Sequence, residues 1–121
     1  MQYMCLIYND EQARLGLPQE ERGETIAAYE TFTNEIRASG HMVGGDALHP
    51  ATTATTVRVR DGETLVTDGP FAETKEQLGG YYLIEAETID EAIQWAARIP
   101  SARNGSIEVR PVVMHAAEVA G

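Results

Sequence analysis

The sequence predicts an α+β sandwich, an antiparallel sheet with two helices on one face and an inserted β-hairpin. Three observations predict it. Two strand–helix–strand patterns follow one another, and such units with right-handed crossovers fold back onto one sheet. Asp61-Gly62 stands between two β-rich runs, a strong short-range hairpin signal. The 121 residues suffice for one buried core and leave little room for a second, so 1–121 reads as a single domain.

The elements follow in order. Tyr3 to Tyr8 alternates Met4, Leu6 and Tyr8 with Tyr3, Cys5 and Ile7, so both faces of the first strand are apolar and both should be covered. Asn9 to Leu17 is polar and reads as a loop. Pro18, then Glu20 and Glu21, suit a helix start, and Ile26, Tyr29, Phe32 and Ile36 recur at helical spacing. The helix spans about 18 to 38 and stops at Ser39-Gly40. His41 to Leu48 is a strand whose paired Gly44-Gly45 predicts a bulge or a close backbone approach. Thr55 to Arg60 and Glu63 to Thr67 form the hairpin, Asp68-Gly69-Pro70 makes a turn, and Tyr81 to Glu87 is the next strand. Thr88 and Glu91 form a capping box that opens a helix with Ile89, Ala92, Ile93, Ala96 and Ile99 on one face, and Pro100 prevents its continuation. Ser106 to Val113 is the last strand, and the tail from His115 is expected to fray. This order is ferredoxin-like. It leaves one sheet face bare, carrying Cys5 and Leu83, and a second copy of the chain is the simplest cover. A homodimer is therefore expected.

Composition narrows the function. Nineteen acidic residues against nine basic give a net charge of −10, which argues against nucleic acid or an anionic membrane as partner. Cys5 is the only cysteine, which excludes an internal disulfide framework and a zinc site built on thiolate pairs. No run approaches the ~18 apolar residues of a membrane span, and no basic and apolar leader precedes the first strand, so a cytoplasmic location is expected.

The segment Asp68 to Tyr81 is densest in charge and glycine. Asp68 is a turn residue that could also serve as acid or base, and His49 could pair with it or with Asp46. Glu73, Lys75 and Glu76 could form a solvated loop or a lid, with Lys75 on an anionic or carbonyl-bearing ligand, Gly79-Gly80 as hinge or close-approach site, and Tyr81 as a further ligand contact. Arg110 and Arg58 offer anion contacts, although Arg110 could equally pair with Glu73, Glu76 or Glu108. His41 and His49 would stand about 27 Å apart along an extended strand, too far to share a metal. No metal site, phosphate loop, nucleophile elbow or dinucleotide fingerprint is read, and no cofactor is expected.

Val66-Thr67-Asp68-Gly69-Pro70-Phe71-Ala72-Glu73-Thr74-Lys75-Glu76, followed by Leu78-Gly79-Gly80-Tyr81-Tyr82, resembles the signature of the YCII-related family in its DGPF-domain branch. The likeness extends to Tyr3-Met4, to Leu48 through Arg58, and to Ile107 through Val112. It implies a dimeric α/β-barrel of ferredoxin-like fold and, in some relatives, a link to sigma factors of the extracytoplasmic-function type. A shorter branch has a proposed His and Asp pair, its His on the first helix, but the helix at about 18 to 38 here contains no His. Three readings stand: a small-molecule pocket near the Asp-Gly-Pro-Phe turn with acid/base chemistry, an accessory protein of a sigma factor, and a purely structural dimeric module.

Overall fold

The computed structural model describes residues 1–114. Strand β1 (Gln2–Asn9) leads into a short helix α1 (Glu11–Leu15), then a long helix α2 (Gln19–Ala38) and strand β2 (Met42–Ala47). After a 3₁₀ turn at Ala51–Thr53, β3 (Thr55–Arg60) and β4 (Glu63–Asp68) make the hairpin. Strand β5 (Gln77–Glu85), helix α3 (Ile89–Ala96), a second 3₁₀ turn (Pro100–Arg103) and β6 (Ser106–Pro111) complete the order. The main sheet runs β2-β5-β1-β6, antiparallel throughout, and β3-β4 forms a separate two-stranded sheet. This is the predicted ferredoxin-like arrangement with its inserted hairpin.

The core lies between the helices and one sheet face. Tyr3, Cys5 and Ile7 of β1 meet Tyr82 and Ile84 of β5, Phe32 and Ile36 of α2, and Ala92 and Ala96 of α3. Phe32 packs edge-on against Tyr82 at 5.1 Å and Trp95 at 6.3 Å. Such offset aromatic pairs add about 0.5–1.5 kcal/mol each beyond their buried area.

The other face is open. Met4 lies opposite Leu83 and Arg110, and Leu6 opposite Tyr81 and Glu108. Leu83 is on the open face as expected, whereas Cys5 is not. Cys5 pairs with Tyr82 and Val109 on the helix side and is 1% exposed. The reason is the odd-numbered set: Tyr3, Cys5 and Ile7 share one side of the pleat, and that side faces the helices.

Other expectations are also corrected. The polar stretch after β1 contains helix α1, because the Asp10 carboxylate accepts the Ala13 N–H at 3.1 Å and caps it. Strand β5 begins at Gln77, so Gly79-Gly80 lie within it rather than ahead of it. Ile89 and Ile93 are exposed, and α3 buries the small residues Ala92 and Ala96 instead. The capping box forms in part: Thr88 Oγ1 accepts the Glu91 N–H at 3.2 Å, while the Glu91 carboxylate accepts from Glu87, one residue before the cap. The paired glycines behave as predicted, since the register shifts between Met42 and Gly44 and a Cβ at Gly45 would stand 2.8 Å from the Tyr81 carbonyl.

Candidate functional site

Helix α2 packs on the sheet only through its second half. Phe32 and Ile36 are its buried residues, and Ile26, in its first half, is 61% exposed. Beneath that half, β2 and β5 present Gly45, Gly79 and Gly80, which place backbone where other residues would place side chains. The β1–β5 register passes from Ile7–Gly80 to Tyr8–Leu78 and skips Gly79, so the floor carries a bulge. The result is a cleft of about 690 Å³ between α2 and the sheet. Ile7, Ile26, Met42 and Leu48 give it apolar walls. This is within the usual size of a small-molecule site.

Its polar groups come from distant parts of the chain. The hydroxyls of Tyr29 and Ser101 lie 2.6 Å apart, and those of Thr33 and Tyr82 lie 2.7 Å apart. Burial pushes the Tyr29 phenol above its ordinary value, partly offset by the Ser101 hydrogen bonds, and the nearby Arg14 charge also lowers it. Tyr29 is therefore a neutral hydrogen-bond donor at physiological pH. Two residues lining the cleft each carry a buried polar atom with no hydrogen-bond partner among the described residues: Oδ1 of Asn9 and Nε of Arg14. Both were missed by sequence reasoning. Asn9 ends β1 and Arg14 stands in the last turn of α1. The available signal was Asp10 as a cap, followed by Glu11 in the first turn and Arg14 in the last.

The residues singled out from the sequence stand elsewhere. Asp68, at the end of β4, is exposed opposite Thr55. His49 is exposed just beyond Leu48, and Arg58 is exposed on β3 opposite Leu65. Arg110 Nε reaches Glu108 Oε2 at 3.8 Å with its side chain largely in solvent. The Glu76 carboxylate accepts the Ser106 hydroxyl at 3.1 Å. Tyr81 donates its hydroxyl to Asp46 Oδ2 at 2.7 Å, and that carboxylate raises the Tyr81 phenol above its ordinary value.

Glu73 and Lys75 do come together, lining a second hollow of about 340 Å³ with Pro70 and Gln77. The segment after the Asp-Gly-Pro-Phe turn thus covers this smaller hollow, and none of its residues between 68 and 78 lines the large cleft. Buried Glu11 anchors the hollow: its carboxylate accepts the Ala51 N–H at 2.9 and 3.0 Å, and its own N–H donates to Gln77 Oε1 at 3.1 Å. Gly80 serves the close approach, since a Cβ there would stand 2.9 Å from the Asp46 carbonyl, whereas at Gly79 it would meet only the Asn9 side chain at 3.6 Å. Among the described residues no group of three or more His, Cys, Asp or Glu could hold a metal ion, and no helix is long and apolar enough to cross a membrane.

A model of the YCII-related domain matches residues 1–115. The chain belongs to the YCII-related family. An uncharacterized protein of Rhizobium meliloti (strain 1021) is 39% identical to this YCII-related chain over 117 residues, 95% of this chain and 94% of that one. Among solved structures, the chain resembles 5-chloro-2-hydroxyhydroquinone dehydrochlorinase (TftG) of Burkholderia phenoliruptrix AC1100 in complex with 2,5-dihydroxybenzoquinone. The TM-score is 0.58 at 15% identity, over 98% of both chains. At that identity the likeness is one of fold. Helix α2 of this YCII-related chain contains no histidine, so the cleft offers hydroxyls and Arg14 where a His and Asp pair would otherwise be sought.

Proposed function

We propose that this YCII-related chain binds a small, largely apolar, oxygen-bearing molecule in the cleft between α2 and the sheet, and that Tyr29 with Ser101 handles a proton there. The carrying observation is the convergence of the Tyr29–Ser101 and Thr33–Tyr82 hydroxyl pairs on one apolar cleft. A neutral phenol backed by a second hydroxyl can donate to a developing oxyanion and be supplied with a proton from behind. The dehydrochlorinase of the same fold, solved with a dihydroxybenzoquinone, lends the reading support. Asp68 and His49 support acid/base work less well, because both are exposed and neither lines a hollow. A cytoplasmic setting, where a lone thiol stays reduced, fits this reading.

The test is a thermal-shift screen against small carboxylates, phosphates and keto acids, repeated with Tyr29→Phe. Binding at 100 times its Kd stabilises a protein by about 2.7 kcal/mol, a shift of several degrees at this size. A hit whose shift is unchanged in Tyr29→Phe removes Tyr29 from the site.

The open sheet face supports a homodimer as the working form, since Met4, Leu6 and Leu83 make an apolar centre that a second sheet would cover. A second functional reading is an accessory protein of an extracytoplasmic-function sigma factor. The hairpin and the turn after it favour it: Val57, Val59 and Val66 are each about 60% exposed and Phe71, beyond β4, is 80% exposed, on a chain of net charge −10 that suits a basic partner. Co-purification with such a factor at low salt, lost in Val57→Asp, tests it.

A further inference from the structure

Arg14 brings a cation into a cleft of an otherwise strongly acidic chain. The whole chain has nine basic residues against nineteen acidic, yet the cleft lining has two of each: Arg14 and Arg37 against Glu30 and Asp46. Asp46 already receives the Tyr81 hydroxyl at 2.7 Å. The Nε of Arg14 is out of water and meets no acceptor among the described residues. A buried donor without a partner costs roughly 1–3 kcal/mol, more when charged, and the cost is recovered when the side chain turns to meet an acceptor that enters the cleft. The Nε edge of a guanidinium carries two nearly parallel N–H bonds, a spacing that matches the two oxygens of a carboxylate. Asn9 Oδ1, the other unpartnered atom, belongs to a carboxamide that can donate from its nitrogen or accept at its oxygen, so it suits a hydroxyl or carbonyl near the same end.

We propose that the ligand of this cleft is a small monocarboxylate with an apolar body, its carboxylate seated on Arg14 and its body between Ile26 and the glycine floor. This rests on the cleft being the binding site and adds the substrate class. A monoanion suits the site better than a phosphate dianion, because Arg14 is the one lining cation carrying an unpartnered buried donor and Glu30 stands in the same wall.

The experiment compares benzoate with its neutral isostere benzamide by titration calorimetry and by backbone amide shifts in NMR. Wild type should bind benzoate about tenfold or more tightly than benzamide, the effect of one charge-assisted hydrogen bond, with shifts at Gly45, Gly79 and Gly80. Arg14→Gln should remove that preference and leave benzamide binding as it was. Arg14→Lys should restore only part of it, and Arg22→Gln, at an exposed arginine of α2 that does not line the cleft, should change nothing. Equal binding of both compounds to the wild-type cleft overturns the carboxylate inference and leaves the cleft reading in place. Shifts confined to residues outside the cleft overturn the cleft reading and the inference together. The wild-type comparison needs no variant, so a poorly folded Arg14→Gln does not blunt the test.

Discussion

The Tyr29 hydroxyl and Ser101 Oγ, 72 residues apart in sequence, lie 2.6 Å apart and join α2 to the 3₁₀ turn after α3. Ser101 is 7% exposed, so its hydroxyl has little water to take the place of Tyr29. Tyr29→Phe is expected to cost about 1–2 kcal/mol, because it leaves Ser101 without a partner. Ser101→Ala should cost a similar amount. The double variant should cost clearly less than the sum, since each single change already strands the other group. Urea denaturation of the four proteins measures the coupling, and strict additivity would show that the two hydroxyls do not depend on each other.

Cys5 gives the fold an alkaline limb. Burial pushes its thiol from 9.0 up to about 11. The folded state therefore holds this proton more firmly than the unfolded state. Its contribution is complete below pH 9 and is lost as pH rises toward 11. Wild type should lose about 2 kcal/mol more than Cys5→Ala across that window, although the variant starts lower because of its cavity. Tyr29 pulls the same way at higher pH, so the difference between the two proteins is the quantity to read. At pH 8 a thiol reagent should react with native Cys5 only as fast as the chain opens.

How far the sequence carries can be seen at β1. Its apolar alternation correctly announced a strand, but two apolar faces look alike in sequence, and Cys5 was assigned to the open one, whereas the face it shares with Tyr3 and Ile7 is the buried one. Helix α1 is five residues long, too short for periodicity, and its local signal is the Asp10 cap with Glu11 in the first turn and Arg14 in the last. Helix α2 was legible from Tyr29, Phe32 and Ile36, yet nothing local shows that Ile26 would stand off the sheet and open a cleft. The charged segment after Asp68 drew attention because charge and glycine are dense there. The larger cleft is instead assembled from Asn9, Arg14, Tyr29, Gly80 and Ser101, whose meeting depends on strand order and on where α2 lies, both of which are long-range outcomes.

Two adjacent glycines separate a turn in the register from a packing requirement. At Gly44 a Cβ would meet nothing within 4 Å, whereas at Gly45 it would stand 2.8 Å from the Tyr81 carbonyl and 3.0 Å from the Tyr82 ring. The carbonyl is backbone and cannot swing aside. Gly45→Ala should push β2 from β5, costing about 1–3 kcal/mol and altering the cleft floor. Gly44→Ala should stay within about 0.5 kcal/mol of wild type. Thermal melts of both variants check the contrast, and equal stabilities would mean that β2 can shift without cost.

The open sheet face makes its own prediction. Leu83 lies opposite Met4 and Gly44 at its centre, flanked by Leu6, and the hairpin adds Val57, Val59 and Val66 without cover. A lone two-stranded hairpin is marginal in water, so a neighbouring surface would stabilise it. If a second copy supplies it, light scattering of wild type at micromolar concentration should give twice 13.2 kDa. Leu83→Glu would place an unpaired carboxylate in the middle of that contact and should return the mass to that of one chain. The melting temperature of the variant should then fall and lose its dependence on protein concentration, because association no longer adds to stability. A wild type that scatters as a single chain would mean that the face stays open to water. Leu83→Glu should then leave the melt nearly unchanged, since a carboxylate on a solvated pleat costs little.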